Sequence, residues 1–170
     1  MFLALRRRYR PVIYKLFAAL VISGAVFLTV HIVRDTNNEK NGPVLELRDT
    51  ASGRVYAKWS LDQKGEFAVE FIHSVNQSPV REIFAIEEKM IQARQVRFSS
   101  FGAGMQSDLD EGQTLSRDGD SLIISGFNTS FKELNYIVGT VSDHLLFVNG
   151  ETVSLRSLCG KNAHVTMRIE

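Results

Sequence analysis

Leu16 to Val33 reads LFAALVISGAVFLTVHIV, 18 residues without a formal charge when His31 is neutral. No other feature limits the chain so strongly. A helix rises 1.5 Å per residue, so roughly 20 apolar residues cross a bilayer core. Extension back over Val12, Ile13 and Tyr14 reaches that length, with the Lys15 ammonium snorkelling to the headgroups. Arg6, Arg7, Arg8 and Arg10 stand before the run, and the first acidic residue, Asp35, stands after it. Positive charge on the N-terminal flank orients such a helix with its N-terminus in the cytoplasm. The expected organisation is a basic cytoplasmic head over 1–11, a transmembrane anchor over 12–33, a polar linker over 34–43 and an extracytoplasmic domain over 44–170. A cleaved secretory signal is the competing reading, with Ser23-Gly24-Ala25 as the cut site. Cleavage there leaves VFLTVHIV as a sticky apolar N-terminus, which favours a single-pass anchor in the cell membrane.

Charge divides at the same place. The whole chain of 170 residues carries +1, yet residues 1–34 hold six basic side chains and no acidic one. The remainder therefore carries 14 basic against all 19 acidic residues, a net −5. An acidic body of this kind argues against nucleic acid as a partner, because phosphate binding needs clustered lysine and arginine. The single cysteine, Cys159, excludes an internal disulfide framework and a four-cysteine metal site. It reads as an unpaired small residue near a turn.

From Val44 onward, short runs rich in β-branched and aromatic residues alternate with turn chemistry. The expected strands are 44–48, 54–59, 66–74, 80–88, 90–98, 120–125, 131–138, 145–148, 152–155 and 163–169. Asn149-Gly150 is the strongest hairpin signal, since a type I′ turn needs positive φ at both central residues. Asp118-Gly119 is a second. Only 89–97 has a helical propensity, opposed by the β-rich end Val96-Arg97-Phe98. Roughly 125 residues with about ten short strands predict an all-β domain, either a sandwich or a partly open barrel.

Two stretches carry unusual chemistry. The first is FIHSVNQSPVRE at 71–82. Read as a hairpin with Phe71 opposite Phe84 and Val69 opposite Ile86, it keeps apolar residues on one face and sets His73 opposite Glu82, with 75–80 as the loop. Such a pair at a strand end suits a ligand, a metal or a proton carrier, and equally suits a plain polar closure with Asn76, Ser78 and Pro79 as turn formers. A hydrolase using His73 meets a geometric objection: Ser74, its neighbour on a strand, points to the opposite face. Ser78, Ser99 or Ser100 remain within conceivable reach, but no nucleophile elbow is present. The second stretch is FSSFGAGM at 98–105, where Gly102-Ala103-Gly104 lies between Phe101 and Met105. Two glycines permit close approach of a chain or ligand, and successive amides there suit an anion; a tight loop or bulge is the plainer reading. No catalytic motif, cofactor fingerprint or metal-ligand spacing is found. Asp108, Asp110, Glu111, Asp118 and Asp120 lack calcium-loop spacing, and His144 beside Asp143 reads as turn surface.

At these two stretches the chain resembles bacterial domain-of-unknown-function family number eighteen-fifty. The resemblance rests on F-x-HSV-x-x-SPV-x-E, here Phe71, His73, Ser74, Val75, Ser78, Pro79, Val80 and Glu82, and on SFGAG, here Ser100 to Gly104. It covers about 44–169. It implies a small, often anchored or exported protein whose gene often lies beside those of TAXI-type TRAP transporters, which import small organic anions with an external solute-binding protein. No established enzymatic activity comes with it, so no catalytic roles are carried over, and no cofactor is expected. The function expected is therefore a non-enzymatic, membrane-anchored accessory that contacts a TRAP membrane subunit or its solute-binding protein. His73, Ser74, Asn76, Ser78, Glu82, Ser100, Phe101, Gly102, Ala103 and Gly104 are the candidate contact or ligand residues. A small-ligand or cation sensor is the alternative, and a tethered hydrolase a weaker one.

Overall fold

Alternating apolar residues with turn-forming breaks make strands that each bury one face, and two such sheets solve one another's burial problem. The computed structural model describes residues 42–101 and 108–170, all within one compact unit, Lys40–Glu170. The expected segments 1–11 and 12–33, most of the linker, and Gly102, Ala103 and Gly104 lie outside the described residues. Among the described residues, no helix is long and apolar enough to cross a membrane.

Twelve strands are found among the described residues: β1 (Val44–Asp49), β2 (Val55–Ser60), β3 (Glu66–Ile72), β4 (Pro79–Glu87), β5 (Met90–Phe98), β6 (Thr114–Asp118), β7 (Ser121–Ser125), β8 (Ser130–Phe131), β9 (Glu133–Ile137), β10 (His144–Val148), β11 (Glu151–Ser154) and β12 (His164–Ile169). One short helix, α1 (Leu155–Cys159), follows β11. The domain is all-β, as expected. Sheet order is β2-β1-β12-β9 in the smaller sheet and β11-β10-β3-β4-β5-β7-β6 in the larger, with β8 paired to β5. Neighbouring strands run antiparallel throughout. Leu45, Leu47, Leu134, Val165 and Met167 of the smaller sheet share one core with Phe67, Val69, Phe84, Ile91, Leu146 and Val148 of the larger.

The turn signals act as their chemistry requires. Val148 pairs with Glu151, and Asn149 and Gly150 between them have φ of 52° and 80°, as a type I′ turn demands. Asp118 pairs with Ser121 around Gly119, whose φ is 57°. A third hairpin, β4–β5, turns on Glu88 and Lys89 at φ 50° and 61°, with no glycine to advertise it. Of the segment 89–97, Lys89 belongs to the turn and 90–97 is strand. Its helix-like spacing comes from a β-bulge: Ile83 pairs with Gln95 and Phe84 with Ala93, leaving Arg94 as the extra residue. Ile91 and Ala93 face the core before the bulge, Val96 and Phe98 after it, so a period of two is broken once. The strand pattern does not anticipate β6, because its TLSRD has a single apolar residue, Leu115, and is exposed throughout, the composition of a sheet edge.

The β3–β4 hairpin corrects the expected register. Phe71 pairs with Val80, Val69 with Glu82 and Phe67 with Phe84. The His73 amide donates to Ser78 O, 2.9 Å, and the Gln77 amide to His73 O, 2.9 Å, closing a tight loop in which Gln77 takes φ 52°. His73 is therefore not opposite Glu82. The two lie about 13 Å apart along the strand direction, at 3.3 Å per residue. A slip of four residues leaves every side chain on its expected face, so alternation could not detect it.

Candidate functional site

The observed register places Glu82 among apolar neighbours. Across the inner face of the larger sheet its row runs Leu146, Val69, Glu82, Val96, Ile124. Above and below it on β4 stand Val80 and Phe84, both buried. A carboxyl set there needs a partner, since a desolvated, unpaired polar group costs several kcal/mol (about 2–7). The partner comes from the opposite sheet: Tyr136 on β9 donates its hydroxyl to Glu82 Oε2, 2.7 Å. Burial pushes the Glu82 pKa above its ordinary value, only partly offset by this hydrogen bond. Burial, with Glu82 beside it, also pushes the Tyr136 hydroxyl upward, so it stays protonated and donating.

His144 completes the group. Its ring stacks on Phe71 with centroids 5.4 Å apart and meets Tyr136 edge-on at 5.9 Å. Nδ1 accepts from the Gly139 amide, 3.2 Å. Desolvation lowers its pKa, and Arg156 adds to this against the opposing pull of Asp143, so the ring is neutral near pH 7. His144 is thus a half-buried inner-face residue and not turn surface. The carboxylate of Asp143 is occupied by the Arg156 amide, 2.9 Å, and the Ser154 hydroxyl.

The two stretches singled out by composition do meet. Asn76 Nδ2 donates to Ser100 O, 3.1 Å, tying the 73–78 loop to the chain beyond β5. Phe101 packs edge-on against Phe98 at 5.1 Å. His73 Nδ1 accepts from the amides of Val75, 3.3 Å, and Asn76, 3.4 Å, so the ring caps its own loop. The Ser78 hydroxyl is buried without a hydrogen-bond partner among the described residues, and Ser74 is exposed. The pieces form a tip at the end of the sandwich where β3 and β5 finish and β10 begins. Ile72, Val75, Phe101, Ile137 and Val141 are all exposed there, Val141 at 92% and Val75 at 61%. The chain enters at the other end, where Leu61 N bonds Pro43 O and Asn149 bonds Ser60 O.

Between β9 and the β4–β5 hairpin lies a cavity of about 550 Å³. Glu82 and Tyr136 line it, together with Phe84, Phe127, Phe131 and Glu133. The bulge at Arg94 borders it through Ala93 and Gln95. Among the described residues no three His, Cys, Asp or Glu side chains gather to hold a metal ion. Cys159 closes α1, half-buried, with burial pushing its thiol pKa up to about 11.

The family described as Domain of unknown function (DUF1850) matches residues 67–155, which include the β3–β4 hairpin, the cavity and the tip. The chain belongs to this family. No curated protein and no solved structure matches it. The DUF1850 region supplies Glu82, Tyr136 and His144, whereas β1, β2 and β12 of the smaller sheet lie beyond the match.

The sequence motifs single out Glu82 but pass over Tyr136 and His144. The signal is nonetheless present: Leu134, Tyr136 and Val138 alternate, as do His144, Leu146 and Val148, which puts both polar rings on a buried face.

Proposed function

We propose that this DUF1850 protein is a membrane-anchored extracytoplasmic domain that works by contact rather than catalysis, as an accessory of a TAXI-type TRAP transporter for small organic anions. The observation that carries the reading is the tip. Several connections and strand ends bring exposed apolar side chains to one end of the sandwich, and apolar surface left open to solvent suits contact with a partner. That end is opposite to the entry of the chain, which leaves it accessible to a partner. The amide contacts that hold His73 Nδ1 give the ring a structural task, which favours contact over hydrolysis. The basic head and the uncharged run over 16–33 support the anchor and its orientation.

The test is crosslinking of the full-length protein in its native membrane, followed by mild-detergent purification. Wild type is expected to capture a TRAP membrane subunit or solute-binding protein. The double variant Val75→Asp, Phe101→Asp is expected to lose at least about tenfold of that yield, the scale of one lost apolar anchor. Leu115→Asp, an equally exposed apolar site on β6, should leave it unchanged. Capture by the tip variant at the wild-type level refutes the reading. A second reading, a small-ligand sensor, is favoured by the cavity around Glu82.

A further inference from the structure

The cavity between β9 and the β4–β5 hairpin has the size of a small-molecule site, about 550 Å³ against roughly 300–1,000 Å³ for ligand pockets in general. Its chemistry is one-sided. The lining residues include the carboxylates of Glu82 and Glu133 and contain no lysine, arginine or histidine. An organic anion entering it would meet like charge with no cation to receive it. Phe84, Phe127 and Phe131 supply apolar and aromatic surface, which attracts a cation through the ring quadrupole as well as an apolar body.

Glu82 is the decisive group. It stands alone in a row of aliphatic residues, where a folded core with no further purpose would carry another apolar side chain. Tyr136 donates to Oε2 only, so Oε1 has no donor among the described residues. We propose that this cavity binds a small organic ammonium ion, its charged nitrogen on Glu82 and its apolar body against the phenylalanines. Tyr136 positions the carboxylate by holding one oxygen and leaving the other for the ligand. The site is separate from the tip, so it adds a ligand to the contact function and does not depend on it.

Calorimetric titration of the full-length protein in non-ionic detergent with benzylamine tests the inference, with benzyl alcohol and benzoate as neutral and anionic matches in shape. Benzylamine is expected to bind saturably and at least tenfold more tightly than benzyl alcohol, with benzoate weakest. In Glu82→Gln the preference for benzylamine over benzyl alcohol disappears. Thr129→Lys adds a cation at an exposed lining position; it leaves the fold intact and weakens benzylamine severalfold while sparing benzyl alcohol. Failure of benzylamine to saturate below about 10 mM, a free energy under roughly 3 kcal/mol, overturns the proposal. So does benzoate binding as tightly as benzylamine, or unchanged selectivity in both variants. Loss of transporter capture in the tip variant with benzylamine selectivity retained separates the two proposals.

Discussion

Removal of one hydroxyl, in Tyr136→Phe, isolates the interaction that joins the two sheets beside the cavity. The variant keeps the ring that packs edge-on to His144 and deletes only the donor to Glu82 Oε2, which sits at 2.7 Å. A hydrogen bond to a charged or charge-bearing group contributes about 1.5–3 kcal/mol. The apolar row around Glu82 offers no substitute, so a cost near 2 kcal/mol is expected, or roughly 6–10 °C in Tm for a domain of this size. Glu82→Gln removes the charge that burial penalises and keeps an acceptor for Tyr136, so by itself it should be close to neutral. In that background Tyr136→Phe should cost only about 1 kcal/mol, leaving a coupling energy near 1 kcal/mol. Urea unfolding of the four proteins at one pH measures all of these terms.

The pH dependence supplies an independent sign. Burial raises the Glu82 pKa above its ordinary 4.5, so between 4.5 and the folded value the native state holds the proton more tightly than the unfolded chain. Stability at this site is therefore lost as pH rises through that window. The groups sharing its surroundings are Tyr136 and Glu133 of β9, Asp110, and His144 behind the tyrosine. Without the tyrosine hydroxyl the carboxyl is pushed higher still, and the loss extends to higher pH. A Tyr136→Phe cost that is the same with and without Glu82→Gln, or below about 0.5 kcal/mol in both backgrounds, would refute this account.

Glu46 behaves in the opposite sense. On the outer face of the smaller sheet its carboxylate meets Arg48 at 2.8 Å, Arg168 at 2.9 Å and Lys58 at 3.1 Å. Burial alone would raise its pKa, but hydrogen bonds from Lys58 and Arg168 outweigh it and hold the value at about 2. Only long side chains roof it, so solvent screening trims the gain, and Glu46→Gln should cost about 1–2 kcal/mol at pH 7. The contribution is complete above 4.5 and vanishes as pH falls toward 2, so the gap between the two proteins should close across that window; a constant gap contradicts the assignment. Lys89→Gly relieves a left-handed residue in the β4–β5 turn and should stabilise the domain by roughly 1 kcal/mol, read from the urea midpoint. An unchanged or lower midpoint would show that the positive φ carries no strain there. Gly139→Ala sets a Cβ 2.3 Å from Ser142 O; the 139–142 turn must open, with an expected cost of about 2 kcal/mol, checked by thermal unfolding.

Strand existence was legible wherever a run buried one face, and hairpins were legible where Asn-Gly or Asp-Gly announced the required φ. β6 escaped because an exposed edge strand needs no apolar residues. The β5 bulge escaped because one inserted residue turns a period of two into spacings that imitate a helix. The Glu88-Lys89 turn escaped because its strain is supported by the long β4–β5 ladder and not by its own residue types.

The site shows the same division more sharply. Local chemistry alone determined that Glu82 faces the core and that His73 belongs to the closure of the hairpin. It also determined the uncharged run over 16–33 and the basic head before it, on which the proposed anchor rests. Only the tertiary structure decided which groups meet. Parity along a strand is a property of each residue and its neighbours, while register is set by the turn that closes the hairpin, and a slip of four preserves every face. Inter-sheet partners depend on how two twisted sheets pack, which no short stretch of sequence encodes. Glu82 therefore belongs to Tyr136, fifty-four residues away, and not to the histidine nine positions before it.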